Sequence, residues 1–142
     1  MAVELNLPLF CHERDAADDF LQVLDTFPSL PPLVVHCYTG SQPTLAQYVQ
    51  RGYYIGVTGF ISMQKRGSQL RSFLAATVPL DRLMIETDAP FMTPDAVVKA
   101  HGKTNVPRNL PVVLQTVAEL YGMPLEVVAA QLTTTSRLFF RL

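Results

Sequence analysis

The segment Leu83–Pro90 constrains the fold more than any other part of the chain. Three apolar residues, Leu83-Met84-Ile85, precede two carboxylates at Glu86 and Asp88, and a proline follows. Side chains alternate along a strand, so Glu86 and Asp88 are expected to share one face. Proline resists the continuation of a central strand. The segment therefore predicts a short buried strand over residues 82–88 that delivers two carboxylates to its carboxyl end.

Two earlier apolar segments end in a histidine, and a further apolar run precedes the carboxylate segment. Leu7–His12, Leu33–His36 and Tyr53–Val57 are predicted to be strands. Helical periodicity predicts helices over residues 16–27, 41–51, 69–76, 110–121 and 125–132, with a last amphipathic turn over 135–141. Strands that alternate with helices indicate an α/β domain with a parallel sheet.

The strand ends that carry His12, His36 and Asp88 should meet at one edge of this sheet, because all strands of such folds point the same way. Each residue alone has an ordinary structural explanation, since histidines often hydrogen-bond at strand ends and aspartates often cap loops. Together they favour a metal site. Imidazole and carboxylate ligands suit zinc, manganese or iron, with magnesium where carboxylates dominate. An open site of this kind activates water.

Two further residues are expected to support these ligands. Glu86 lies in an apolar segment, where a carboxylate needs a cation, a hydrogen-bond donor or a proton. Arg14 belongs to a polar cluster that follows His12. We expect Glu86 and Arg14 to orient the metal ligands from behind.

The charge balance bears on the substrate. The 142 residues carry a formal net charge of −1, so a polyanion would have to be held locally. The polar loop 58–68 contains Lys65 and Arg66, and it is either a solvated surface loop or a phosphate clamp in which one of these cations touches phosphate. The sequence has no apolar run of about 18 residues and no signal-peptide pattern, so we expect a cytoplasmic protein without a membrane partner.

Each cysteine follows or precedes a strand-end histidine in the sequence. By alternation, Cys11 and Cys37 should leave the opposite face from His12 and His36, which predicts buried, reduced thiols rather than ligands or a disulfide. The sequence contains no serine-centred nucleophile motif and no glycine-rich nucleotide loop. This absence argues against a covalent serine mechanism.

Three segments, in this order, resemble the successive motifs of the TatD family: Leu9–Arg14, Val34–Gly40 and Leu83–Pro90. The resemblance implies a metal-dependent deoxyribonuclease with the TIM barrel of the amidohydrolases. It also implies that His12 and His36 bind metal from the fifth and sixth strands, and that Asp88 binds metal and helps to activate water after the eighth. Family members remove nucleotides from DNA, often from the 3′ end of single strands, so single-stranded DNA is the implied partner.

The chain departs from the family pattern in several places. The family's first-strand His-x-His and its glutamate after the fourth strand have no counterpart, and Asn105-Val106-Pro107 stands where the family tends to have Asn-Glu-Pro. A complete barrel takes about 250 residues. We therefore expect residues 1–142 to form one domain, the carboxyl-terminal half of the barrel with strands five to eight. The uncovered edges and inner face predict a homodimer, pairing with a separate amino-terminal half, or aggregation.

These features predict a mechanism. A divalent ion, Mg²⁺, Mn²⁺ or Zn²⁺, held by His12 and His36 lowers the pKa of a bound water. Asp88 ligates or deprotonates that water for attack on a phosphodiester. Two alternatives stay open: a metal-dependent hydrolase of another ester or amide, and an inactive or split fragment that acts only as a metal-binding subunit.

Overall fold

Four short parallel strands form the centre of the molecule. The computed structural model describes the backbone of all 142 residues and every side chain except that of His101. The strands lie in sequence order as β1 (Leu9–His12), β2 (Leu33–His36), β3 (Tyr54–Val57) and β4 (Leu83–Ile85). Every neighbouring pair is parallel, which confirms the predicted α/β sheet.

Seven helices surround or connect the strands: α1 (Ala2–Leu5), α2 (Ala17–Leu24), α3 (Gln42–Gln50), α4 (Ser68–Thr77), α5 (Asp95–His101), α6 (Leu110–Tyr121) and α7 (Leu125–Phe140). Short 3-10 turns cover Gly59–Ser62, Leu80–Arg82 and Pro107–Asn109. The bounds of α6 are those predicted, with Gly122 in the left-handed conformation after its last turn. The helix α5 was not predicted.

The two segments predicted at the carboxyl terminus are one helix, α7. The intervening residues 133–135 are threonines, which as β-branched residues disfavour helices. The buried side chains of Leu132, Thr135 and Phe139 nevertheless recur at helical spacing, so packing against the sheet overrides local propensity. No single helix among the described residues is long and apolar enough to cross a membrane; Pro107–Tyr121 and α7 reach that length and composition only as a pair bent by 109°.

Local signals set some helix starts. Ser41 caps α3 by accepting a hydrogen bond from the Thr44 amide at 3.4 Å. Asp15 does not cap the following helix; its backbone has φ 57°. Instead the Glu13 carboxylate accepts from the Ala16 amide at 2.8 Å, immediately before α2. The carboxylate at the start of α2 therefore comes from Glu13 and not from Asp15.

The two faces of the sheet are covered very differently. On the helix face, defined by Leu9, Cys11, Leu33, Val35, Ile55, Val57, Leu83 and Ile85, the strands pack against α2, α3, α4, α6 and α7 in one large apolar core. The open face is defined by Phe10, His12, Val34, His36, Tyr54, Gly56 and Met84. There Val34 and Met84 are covered by Phe139 from the end of α7. Phe10 remains 53% exposed.

Strand β4 ends earlier than predicted. Its last residue is Ile85, and the amide of Glu86 makes a final bond to the Val57 carbonyl at 2.9 Å. Asp88 has φ 54°, in the left-handed region. Strand alternation therefore does not extend to Asp88, and the prediction that it shares a face with Glu86 by alternation is wrong.

Candidate functional site

The parallel register brings the two strand-end histidines together. His12 and His36 are direct partners across β1 and β2. The Nδ1 atom of His12 lies 2.9 Å from the Nε2 atom of His36, and the two ring centroids are 5.1 Å apart. The Phe10 ring lies beside the His36 ring, with centroids 5.0 Å apart. Two imidazole nitrogens thus point at one another at the carboxyl end of the sheet.

Glu86 lies directly behind this pair. Its Oε1 atom is 3.5 Å from His36 Nδ1 and accepts a hydrogen bond from the Cys37 amide at 2.6 Å. Gly56 makes this position available, because a Cβ there would come within 2.6 Å of the same oxygen. Burial raises the pKa of the Glu86 carboxyl, and the Cys37 hydrogen bond and His36 oppose that rise. Glu86 contacts one histidine and fits the supporting role predicted for it.

The Cys37 thiol points into the site, not away from it. Its Sγ atom lies 3.6 Å from Thr58 Oγ1 and 3.7 Å from Asp88 Oδ2. The expectation that Cys37 leaves the opposite face from His36 is wrong, because Cys37 has φ 50° and strand alternation stops there. Burial, followed by the charges of Asp88 and Glu86, raises the pKa of this thiol to about 11, so it is protonated at neutral pH.

Asp88 belongs to a loop whose backbone is hydrogen-bonded to the buried side chain of Asn105. Asn105 is 3% exposed, and its Nδ2 donates to the carbonyls of Thr87 at 2.7 Å and Phe91 at 2.8 Å. Asn105 therefore fixes the loop and does not face a substrate. Asp88 reaches the histidine pair only through Cys37, to which its carboxylate is hydrogen-bonded.

The donor atoms suit a divalent metal, but they do not surround one point. Among the described residues, no three His, Cys, Asp or Glu side chains are grouped closely enough to hold a metal ion. The two imidazole nitrogens of His12 and His36 would be the nitrogen donors to a bound ion. His12 and His36 supply borderline nitrogen donors and Asp88 supplies a carboxylate, which is a metal-binding set.

A cavity of about 910 Å³ opens above these residues. His12 and Asp88 line it together with three cationic side chains, Arg14, Arg66 and Lys103. The predicted supporting role of Arg14 is not what its geometry indicates, since Arg14 forms an exposed ion pair with Asp15 at 3.8 Å and lies on the cavity wall.

Of the two loop cations, only one reaches this cavity. Arg66 lines the cavity, with its guanidinium 5.6 Å from the centroid of the Phe60 ring. Lys65 is exposed and is not among the lining residues. Between the two predicted phosphate contacts, the geometry therefore favours Arg66.

Several site residues were not predicted. Glu13 anchors the segment after His12, because its second oxygen accepts from the Tyr48 hydroxyl at 2.8 Å. The polar cluster around Glu13 was visible in the sequence, but its partner on α3 was not. Lys103 follows α5 and enters the cavity from a long connection, and no periodicity in the sequence indicates that approach.

Comparison with known proteins identifies the family of the chain. The family model of TatD related DNases matches residues 1–141. This chain belongs to that family. Members of the TatD family are metal-dependent hydrolases. The family resemblance expected from the sequence motifs is thus confirmed.

Relatives named 3′-5′ ssDNA/RNA exonuclease TatD resemble the chain over its whole length. The relative from Erwinia billingiae is 42% identical and covers 100% of this chain, which in turn covers 55% of that protein. The relative from Escherichia fergusonii is 39% identical, with coverages of 99% and 54%. The chain therefore spans about half the length of the relatives it matches.

Solved TatD structures share the fold. A TatD homologue from Escherichia coli K12 matches with a TM-score of 0.86 and 32% identity, covering 99% of this chain and 52% of that one. A TatD family hydrolase from Entamoeba histolytica matches with a TM-score of 0.80 and 23% identity, covering 95% and 51%. These matches confirm the α/β fold and its assignment as part of a TatD-type barrel.

Proposed function

We propose that the chain hydrolyses phosphodiester bonds of single-stranded DNA, releasing nucleotides from the 3′ end at the cavity beside His12, His36 and Asp88. The observation that carries this proposal is the meeting of two imidazole nitrogens at the edge of a cavity whose lining includes four carboxylates, Asp88 among them, and three cations. The names of the relatives support the substrate class and the direction. The chain is proposed to supply the carboxyl-terminal half of the barrel.

His12, His36 and Asp88 would hold the metal. Their mixed nitrogen and oxygen donors suit Mn²⁺ or Zn²⁺ better than Mg²⁺, which favours oxygen ligands. When bound, a divalent ion supplies Lewis-acid polarisation and lowers the pKa of coordinated water.

The chain's own side chains prepare these donors. Glu86 faces His36 Nδ1, which favours a proton on that nitrogen and leaves Nε2 with its lone pair toward His12. The protonated thiol of Cys37 donates to Asp88 and limits the rotation of its carboxylate. On the cavity wall, Arg66 offsets the negative charge of a phosphodiester.

The direct test is Mn²⁺-dependent nucleotide release from a 5′-labelled single-stranded DNA oligonucleotide by the purified chain. Asp88→Asn should lower the release rate by about a hundredfold or more, because the amide neither ligates metal nor accepts a proton comparably. Asp18→Asn is the matched control, since Asp18 is an exposed carboxylate on α2 outside this cavity. Absence of release by the folded parent chain, both alone and with an added amino-terminal half from a relative, would overturn the proposal and leave the metal-binding subunit as the alternative.

Metal binding provides an independent readout. Titration of Mn²⁺ followed by electron paramagnetic resonance should show weaker binding for His36→Gln than for the parent chain, by about tenfold or more. Equal binding by both proteins would place the metal elsewhere.

We also propose that the sheet edges are completed by other strands in the active assembly. Strands β1 and β4 lie at the two ends of the strand order, each with one neighbour in the sheet. Release that rises more steeply than the protein concentration supports a second copy. Release that requires an added amino-terminal half from a relative supports a split barrel.

A further inference from the structure

The ring of Phe91 is 69% exposed and lies three residues after Asp88, on the wall of the same cavity. A single exposed apolar side chain is normal on a protein surface and needs no explanation alone. Phe91 differs in two ways. Its backbone is held by hydrogen bonds, and it lines the same cavity as Arg66, Lys103 and the proposed reaction site.

The backbone that carries Phe91 is held by hydrogen bonds from both directions. The Phe91 amide donates to the Asp88 carbonyl at 2.8 Å. Asn105 donates to the Phe91 carbonyl through its side chain at 2.8 Å and to the Pro90 carbonyl through its amide at 3.0 Å. Because these hydrogen bonds already order the backbone, a ligand that packs on Phe91 has to order only the ring and not the loop.

A second loop presses against this one and brings a cation with it. Gly59 lies so close to the Met92 carbonyl that an added Cβ would come within 1.9 Å of that oxygen. The residue after this glycine is Phe60, and Arg66 lies over its ring at 5.6 Å. The same segment is clamped by Arg71, which donates to two of its backbone carbonyls at 2.7 Å each. Aromatic and cationic groups therefore line one cavity on two interlocked loops.

The cations of this cavity remain available for an anion. None of the ion pairs between described residues involves Arg66 or Lys103. The Asp95 carboxylate, which also lines the cavity, accepts a hydrogen bond from the Gln64 amide at 2.8 Å and, among the described residues, forms no ion pair with either cation. The Lys103 backbone is fixed by a hydrogen bond from Thr93 Oγ1 to its carbonyl at 2.5 Å. A single-stranded nucleic acid presents bases and phosphates alternately, and proteins hold it with stacked aromatic rings beside cations.

We propose that Phe91 stacks against a nucleobase of the bound strand, while Arg66 and Lys103 contact the phosphates on either side. This inference rests on the proposed function for the substrate class but concerns base contact, which hydrolysis at Asp88 does not require. Stacking is tolerant of sequence, so the subsite should favour strands with any base over strands without bases.

The chain contains no tryptophan, so Phe91→Trp gives a single indole reporter at the proposed stacking position. With EDTA present to prevent hydrolysis, an eight-nucleotide oligothymidylate should quench its fluorescence, and an eight-unit abasic oligomer should not. Phe27→Trp is the matched control, because Phe27 is 47% exposed beyond the end of α2 and does not line the cavity. No quenching is expected there.

Anisotropy titration of dye-labelled oligomers completes the test. Phe91→Ala should weaken oligothymidylate binding about tenfold and leave abasic binding unchanged. Arg66→Gln should weaken both. Equal losses for both oligomers in Phe91→Ala, or no quenching in Phe91→Trp, would overturn the stacking subsite. Binding that shows the predicted base dependence without any Mn²⁺-dependent release would instead refute the proposed hydrolysis and keep the subsite.

Discussion

The two faces of the sheet use the same strands for different purposes. On the helix face, Leu33, Ile55 and Leu83 are no more than 1% exposed and join a core built by five helices. On the open face, Phe10 is half exposed and His36 ends its strand beside the partly buried carboxylate of Glu86. Apolar burial supplies most of the favourable free energy of folding. The difference indicates that stability resides mainly on the helix face, while the open face carries the candidate site.

Substitution of a buried leucine gives the largest expected effect. Leu33→Ala removes a side chain that is 1% exposed on the helix face, and it should lower the free energy of unfolding by about 2–5 kcal/mol. Phe10→Ala, on the neighbouring strand and the open face, should cost about 1 kcal/mol or less, because this ring is already half solvated. Urea unfolding of both variants measures the difference. Similar losses of unfolding free energy in the two variants would show that the two faces contribute equally to stability.

A smaller effect is expected where the helix-face core reaches the site. Tyr48 is fully buried on α3, and its hydroxyl donates to the Glu13 carboxylate next to His12. Tyr48→Phe should cost about 1–2 kcal/mol, since hydrogen bonds to charged groups are worth more than neutral ones. Tyr53→Phe is the control, because its hydroxyl makes no hydrogen bond with the described residues, and it should change stability by less than about 0.5 kcal/mol. An equal response of both variants would mean that the Glu13 contact contributes nothing.

The smallest effect depends on pH. Tyr121 donates its hydroxyl to the Val78 carbonyl at 2.7 Å, and burial raises its pKa well above the ordinary value. The native state keeps this proton above about pH 10, where the unfolded chain releases it, so stability falls as pH rises through that range. Between pH 9 and 11 the decline should be about 1 kcal/mol smaller in Tyr121→Phe. Urea midpoints at both pH values test this. An unchanged decline would assign the alkaline sensitivity to other groups.

Local sequence signals located the four strands and most of the longer helices, although they missed α5 and divided α7 in two. The apolar run before His36 predicted β2 correctly, and the same alternation, with parallel register, brought His12 to His36. Prediction failed where tertiary contacts hold non-glycine residues at positive φ. Cys37 and Asp88 are both in that conformation, and Cys37 is held there by the distant Glu86 carboxylate. No local pattern encodes such a contact, so neither side-chain direction followed from the sequence.

The hydrogen bonds at the two ends of the segment between Asp88 and Asn105 have a consequence for variation among related proteins. The Asn105 side chain donates to the carbonyl of Thr87, the residue before Asp88. Thr93 donates to the Lys103 carbonyl and so joins the two ends of the segment that contains α5. The segment between these hydrogen bonds, which includes α5, also contacts the loop after β3, through Gly59 against Met92 and through the Gln64 amide, which donates to Asp95. Because loop segments tolerate insertions and deletions, we expect the length of this segment to vary among related proteins while the hydrogen bonds at its ends keep Asp88 in place.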